Sequence, residues 1–278
     1  EGVYDNKELS INNFVDYLCS QVYFIVIETY AGLSKTLQIF NAINTTGLDL
    51  NGGDLFKIRM YEYLRDKCNQ DEGVFQEIGA LYQRIDTLNK EQGREVLNIH
   101  NVLSTYKYVL IAKYDLPNAL FLLATDTFYD RLFDSLLGVQ KWESFTNLGN
   151  LKLDLVELND AIDARYDWEV NHNKNITTEN MFALNSIRWS RYSRYTNVVY
   201  LFLYKYEKDL NRFGKVYQIL HLLNRLFFIY SVYYARTVYE IHNFMFGIYK
   251  KIENDTFENV IALVELLVMI FVLTYFYY

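Results

Sequence analysis

Apolar residues recur with a helical period along most of this chain. Beyond residue 50 they return every three or four positions with few interruptions, the spacing of amphipathic helices packed around a shared core. The pattern predicts helices at about 33–43, 52–67, 72–88, 91–113, 117–137, 153–166, 178–208, 214–234, 236–252 and 256–277, with breaks at 138–150 and 171–175. The predicted fold is therefore mainly α, a multi-helix domain.

A short N-terminal segment departs from that period. Val22–Glu28 (VYFIVIE) is rich in β-branched and aromatic residues, a composition typical of a buried strand. No other segment has this character. We therefore expect a small N-terminal α/β remnant that contains one strand near residues 22–28.

Composition favours long helices and a sizeable core. The 278 residues are 51% hydrophobic and include a single proline, Pro117. About fourteen prolines would be average for this length, and a loop-rich β-sandwich would be expected to carry more. The formal charge of −7 argues against nucleic-acid binding by the whole surface, but it is compatible with a local basic stripe.

The cysteines and the two ends of the chain bear on its compartment. Cys19 and Cys68 lack CxxC spacing, which indicates a reducing, cytoplasmic setting. The acidic start shows no signal-peptide pattern, and we expect the chain to be a fragment. Residues 260–278 form an apolar run long enough to span a bilayer. Glu265 within the run and a flank of mixed charge favour a buried helix over a membrane span.

Residues 39–57 (IFNAINTTGLDLNGGDLFK) contain the most informative local pattern. Gly47 permits the positive φ of a sharp turn after one helix, and Asn51 with Asp54 can cap the next. Gly52 and its neighbouring glycine would let an anion approach the amides of the helix start. As local structure, a helix, a turn and a capped helix need no ligand.

This block and the strand before it resemble the second conserved block of the S-subunit-like domain of GmrSD-type, modification-dependent (type IV) restriction proteins. The family pattern is F-x-x-x-N-x-x-G-x-x-L-x-x-x-D-L. The matching positions are Phe40, Asn44, Gly47, Leu50, Asp54 and Leu55, with Lys57 as the basic residue that often follows. The resemblance covers residues 22–64. It implies that 1–70 is the C-terminal portion of a nucleotide-binding domain and that 71–278 is a helical domain.

The resemblance also implies partners and cofactors. The parent protein would be an NTPase coupled to an endonuclease, using a nucleoside triphosphate and Mg²⁺, and acting on modified DNA with an HNH-type nuclease domain or subunit. The family's DGQQR motif is absent here and would lie before Glu1, so this chain alone is expected to be inactive and without a cofactor. The residues expected to complete the nucleotide site are Asn44, Thr46, Gly47, Asp54 and Lys57.

Catalytic patterns are absent elsewhere in the sequence. The histidines His100, His172, His221 and His242 do not follow HNH spacing; His100 and His242 sit in helical stretches, and His172 is predicted in a loop. The carboxylates Asp154, Glu157, Asp160 and Asp163 lack the ExxH partners of a di-metal site, and a solvated acidic face is the better interpretation. We assign no catalytic residue and no metal ligand.

A second candidate site is the segment SIRWSRYSRY. Arg188, Arg191 and Arg194 recur every three residues on a predicted helix, interleaved with aromatic residues. Such a stripe can pair with phosphates while the aromatic rings stack on bases, which predicts DNA binding. An arginine-lined solvent face backed by aromatic core contacts produces the same spacing.

Two other functions stay open from the sequence. The chain could be a non-enzymatic helical interaction or architectural protein, in which the Asn-Gly turn is purely structural, and homo-oligomerisation is compatible with either reading. A membrane-anchored helical protein is the weaker alternative.

Overall fold

Helices form the regular structure of the part of the chain that the structure describes. The computed structural model describes residues 11–22, 52–71, 73–145, 148–149, 151–174, 176–233 and 239–276. Within these residues there are eleven α-helices and three short 3-10 helices, and no strand. The mainly α prediction is confirmed for this part of the chain. The predicted strand lies outside the described residues, apart from Val22.

The helices and their bounds set the frame for the candidate sites. The α-helices are α1 (Ile11–Gln21), α2 (Gly52–Cys68), α3 (Val74–Gln92), α4 (Ile99–Lys113), α5 (Thr125–Leu137), α6 (Leu155–Asn171), α7 (Thr178–Arg188), α8 (Val198–Lys205), α9 (Arg212–Tyr233), α10 (Tyr239–Asn254) and α11 (Phe257–Phe276). The 3-10 helices are Asn118–Leu122, Glu143–Phe145 and Ser193–Asn197.

The chain divides into two compact units, Glu1–Thr46 and Gly47–Tyr278. Helix α1 lies in the first unit, and α2 to α11 lie in the second. The predicted division at residue 70 follows the family resemblance instead of packing, and it stays a prediction.

Helix α1 is not among the helices predicted from periodicity. Its apolar residues Ile11, Phe14, Val15 and Leu18 recur at helical spacing, and all four side chains are exposed. The signal is present in the sequence, but it spans only three turns beside a polar start.

Aromatic packing holds α2 against α5. The ring of Phe56 lies edge-on to Tyr129, with 4.8 Å between centroids, and 5.5 Å from Phe133. All three rings are buried, and such pairs add to the free energy gained from burying apolar area. The start of α2, which carries two predicted nucleotide-site residues, is thereby fixed in place.

Helix α4 is central to the second unit and contacts α5, α6 and α10. Val102, Tyr106 and Leu110 are fully buried along it. The hydroxyl of Tyr106 donates to Glu157 at 3.3 Å and accepts from the backbone N–H of Asp154 at 3.2 Å. These bonds satisfy a hydroxyl that burial would otherwise leave without partners.

Among the C-terminal helices, α9 packs against α7, α8 and α11. Helix α11 buries Val260 and Val264 but exposes Leu266, Met269 and Leu273. Among the described residues, no helix combines the length and the apolar content needed to cross a bilayer.

Two of the helices predicted in the first half of the chain are interrupted in the structure. The predicted 91–113 helix is divided because Gly93, at φ 62°, ends α3 in the left-handed region, and the side chain of Asn98 accepts from the N–H of Asn101 at 2.8 Å to start α4. The predicted 117–137 helix is divided between the 3-10 helix Asn118–Leu122 and α5. Periodicity alone does not detect these caps.

Candidate functional site

The predicted nucleotide site falls partly within the described residues. Asn44, Thr46 and Gly47 lie outside them, as does the proposed cap Asn51. Asp54 lies exposed in the first turn of α2.

The start of α2 already faces a carboxylate of the protein. A Cβ atom added at Gly52 would collide with the carboxylate of Asp126, which lies in the first turn of α5. A negative charge there complements the positive end of the α2 dipole. A bound phosphate at this helix start would therefore have to compete with Asp126.

Lys57 points toward two aromatic rings of α3. Its Nζ lies 4.7 Å from the ring centroid of Phe75 and 5.6 Å from that of Tyr82, within cation–π range. The Tyr82 hydroxyl donates to the carbonyl of Gly53 at 2.5 Å. Burial raises the pKa of Tyr82, and the charge of Asp54 raises it further. The structure thus brings Asp54 and Lys57 together around Tyr82.

The predicted 178–208 helix is wrong, because the chain leaves the helix after Arg188. The hydroxyl of Ser190 donates to the carbonyl of Ile187 at 2.8 Å and accepts from the N–H of Tyr192 at 3.1 Å. A serine side chain that bonds to nearby backbone in this way competes with helical hydrogen bonds. A turn and the 3-10 helix Ser193–Asn197 follow before α8 begins.

The three predicted DNA-binding arginines consequently do not share one helix face. Arg188 ends α7, Arg191 lies in the turn and Arg194 in the 3-10 helix. All three are exposed. They are brought to one surface segment, where Trp189 is 83% exposed, but they do not form the straight stripe predicted from their spacing.

Each arginine has different neighbours. The guanidinium carbon of Arg191 lies 5.9 Å from the ring centroid of Tyr192. Burial lowers the pKa of His242, and the charge of Arg194 lowers it further. Burial raises the pKa of Tyr200, and the charge of Arg188 is among those that oppose the rise. The three positive charges therefore act on different neighbouring side chains.

A groove between α7 and α9 was missed by the sequence analysis. We call it the α7–α9 groove. It has a volume of about 460 Å³, within the range of ligand sites. Its lining residues include Phe182, Ile187, Tyr192, Arg225, Phe227 and Phe228. The charge pattern of the sequence could have indicated this surface, because both stretches that supply the lining lack aspartate and glutamate. These stretches are Asn180–Tyr206 and Arg212–Tyr239.

The acidic residues of α6 are mostly engaged with basic partners. Glu157 pairs with Lys113, and Asp163 pairs with Arg84. Ligand oxygens of Asp160, Asp163 and Glu207 lie within 4.8 Å of one another. Burial raises the pKa of Asp160, and the neighbouring carboxylates raise it further. The predicted solvated acidic face is therefore, in part, an ion-paired contact between helices.

Three of the described histidines, His172, His221 and His242, form hydrogen bonds within the protein. His172, predicted in a loop, lies in the turn after α6, where it is buried and stacks on Trp168 with 4.6 Å between ring centroids. Nδ1 of His242 lies 2.6 Å from the hydroxyl oxygen of Tyr195.

Lys107 is a buried cation on α4, with 3% of its surface exposed. Its Nζ donates to the carbonyls of Leu123 at 2.7 Å and Phe121 at 3.4 Å. Burial lowers its pKa from 10.5 to about 8.

Comparison with known proteins adds no relative: no family model matches the chain, and no curated protein or solved structure is significantly similar to it.

Proposed function

We propose that this chain is part of a GmrSD-like, nucleotide-dependent anti-phage restriction protein that acts on modified DNA. Its N-terminal part is the end of a nucleotide-sensing domain. Its helical part transmits the nucleotide state to a nuclease domain or subunit and contacts DNA. The nucleotide residues in this proposal are Asn44, Thr46, Gly47, Asp54 and Lys57.

The observation that carries the proposal is the match of Phe40, Asn44, Gly47, Leu50, Asp54 and Leu55 to the family pattern. The helix predicted from residue 52 onward is present as Gly52–Cys68, so the last two matched residues, Asp54 and Leu55, lie in its first turn. Asp54 and Lys57 lie one turn apart on this helix, so a nucleotide phosphate or Mg²⁺ bound near one would also interact electrostatically with the other.

DNA contact by the helical part is supported by charge segregation. The chain carries a net charge of −7, yet Arg188, Arg191 and Arg194 lie in a stretch, residues 180–206, that contains no aspartate or glutamate. Exposed arginines beside an exposed tryptophan are the groups that contact phosphates and stack on bases.

Nucleotide binding tests the family proposal. The measurement compares GTP and ATP binding with Mg²⁺ by this chain and by the protein extended upstream to include a DGQQR block, using titration calorimetry. We expect binding by the longer form only, and its loss in Asn44→Ala. The matched control is Asn173→Ala, which changes an exposed asparagine after α6. An upstream sequence without DGQQR, together with no binding by either form, would overturn the proposal.

A second candidate function is that of a helical interaction protein. One observation favours it: Leu266, Met269 and Leu273 lie exposed at helical spacing on α11, a pattern that often marks a protein contact. The double variant Leu266→Glu and Leu273→Glu should then reduce the mass measured by light scattering, whereas Leu210→Glu, in the loop before α9, should not. A monomeric wild type would exclude self-association through this face.

A further inference from the structure

The α7–α9 groove has an aromatic floor. Tyr192 and Phe227 stack with 4.6 Å between ring centroids and 14° between ring planes, and both are buried. The hydroxyl of Tyr192 lies 2.9 Å from Oγ of Ser231 on α9. Stacking and the hydrogen bond hold the floor in one arrangement, so the groove is preformed.

Two phenylalanines stand at the edges of the groove with most of their surface in solvent. Phe182 on α7 is 68% exposed and Phe228 on α9 is 70% exposed. Isolated exposed aromatic residues are common, but these two line the same cleft. Together they offer ring faces and edges to a flat ligand that enters between α7 and α9.

The charged residues at the groove are basic and favour an anionic ligand. Arg225 lines it, and Arg191 lies next to the floor residue Tyr192. The stretches that supply its lining contain no aspartate or glutamate. Ser186 and Asn224 add a hydroxyl and an amide group to the lining, which can donate to and accept from base edges.

We propose that the α7–α9 groove binds unpaired nucleotides of single-stranded nucleic acid. Bases stack against Phe182 and Phe228, while Arg225 and Arg191 contact the phosphates. This inference rests on the DNA contact in the proposed function and specifies the strand form that the helical part holds. An amphipathic protein helix could also pack on the apolar lining residues, but it would not require a lining that contains an arginine and no acidic residue.

Fluorescence anisotropy with a labelled twelve-nucleotide dT strand, and with a duplex of equal length, tests the proposal. We expect the wild type to bind the single strand more tightly than the duplex. Phe182→Ala and Phe228→Ala should each weaken single-strand binding by about tenfold, the usual scale for removing one ring on which a base stacks. Arg225→Gln should flatten the salt dependence. Binding should also quench the fluorescence of Trp189, which neighbours the groove.

Matched controls separate the groove from general surface effects. Leu210→Ala removes an exposed apolar side chain, and Arg94→Gln removes an exposed positive charge after α3. Circular dichroism establishes that each variant is folded. Both controls should bind the single strand like the wild type.

Three results would overturn the proposal: no binding of the single strand at low salt, equal losses in groove variants and controls, or groove variants that change only the oligomeric state. The last result would make the groove an interface between copies of this chain. The nucleotide-binding test with Asn44→Ala is independent, so the groove can fail while the family proposal stands. If the groove binds the single strand but the longer protein binds no nucleotide, the groove proposal stands and the family proposal fails.

Discussion

Arginines on α6 and around it behave differently from those around the α7–α9 groove. Arg84, Arg165 and Arg212 each have a carboxylate partner, namely Asp163, Glu169 and Asp167. In the part of the chain that the structure describes, Arg188, Arg191, Arg194 and Arg225 form no ion pair with a carboxylate.

The difference shows how one residue type serves two purposes. A guanidinium enclosed by carbonyls and a carboxylate stabilises helix packing, because removing it leaves several buried acceptors without a donor. An exposed guanidinium without a carboxylate contributes little to stability and stays available to an anionic ligand. Four variants test this contrast.

The largest effect is expected at Arg165, whose side chain is 12% exposed. It donates to the carbonyl of Asn101 at 3.1 Å and to the hydroxyl of Tyr200 at 3.2 Å. Arg165→Ala should lower the free energy of unfolding by about 3 kcal/mol, measured by urea denaturation. The control Arg191→Ala should change it by less than about 0.5 kcal/mol. Equal losses of unfolding free energy in the two variants would contradict the proposed difference between paired and unpaired arginines.

Lys107 extends the comparison to a buried cation bonded to carbonyls alone. Because its folded-state pKa is about 8 and its ordinary value is 10.5, the unfolded state binds more protons between these values. Stability should therefore rise with pH across that window, by at most about 3 kcal/mol.

Lys107→Met should lack this rise. Urea denaturation of both proteins from pH 7.0 to 10.5 measures the free energy of unfolding at each pH. Subtracting the two pH profiles cancels the contribution of the tyrosines, because both proteins contain them. Parallel pH profiles would contradict the buried-cation assignment.

The exposed arginines should matter to binding and not to stability. Replacing Arg188, Arg191 and Arg194 together with glutamine should weaken oligonucleotide binding about tenfold. The salt slope on a single strand should fall by about 0.7 for each phosphate that the variant no longer neutralises. A charge-matched control replaces Arg94, Lys141 and Lys174, which are also exposed. Unchanged binding by the first variant would remove the DNA-binding role.

The smallest effect is expected at the turn that separates the arginines. Ser190→Ala removes two hydrogen bonds and should lower the unfolding free energy by about 1 kcal/mol. Ser193→Ala, in the neighbouring 3-10 helix, should have less than half that effect. If Ser190→Ala is neutral, the helix break has another cause.

The arrangement of the arginines shows that regular spacing in the sequence does not by itself place residues on one helix face. Arg188, Arg191 and Arg194 recur every three residues, which would align them on a helix, but the side chain of Ser190 diverts the backbone between them. Serine is compatible with helices and with turns, so no local rule decides its role. Likewise, the sequence near Gly52 indicated an open helix start, whereas packing of α2 on α5 brings Asp126 against it.

The sequence by itself determined the helical class, most helix positions and the acid-free stretches, because periodicity and composition are local properties of the chain. Only the tertiary structure decided which side chains meet. The α7–α9 groove joins residues some forty positions apart, such as Phe182 and Phe228, and the pairing of Arg84 with Asp163 joins two separate helices. Such contacts depend on how helices pack, and a single sequence does not encode that packing in its spacing.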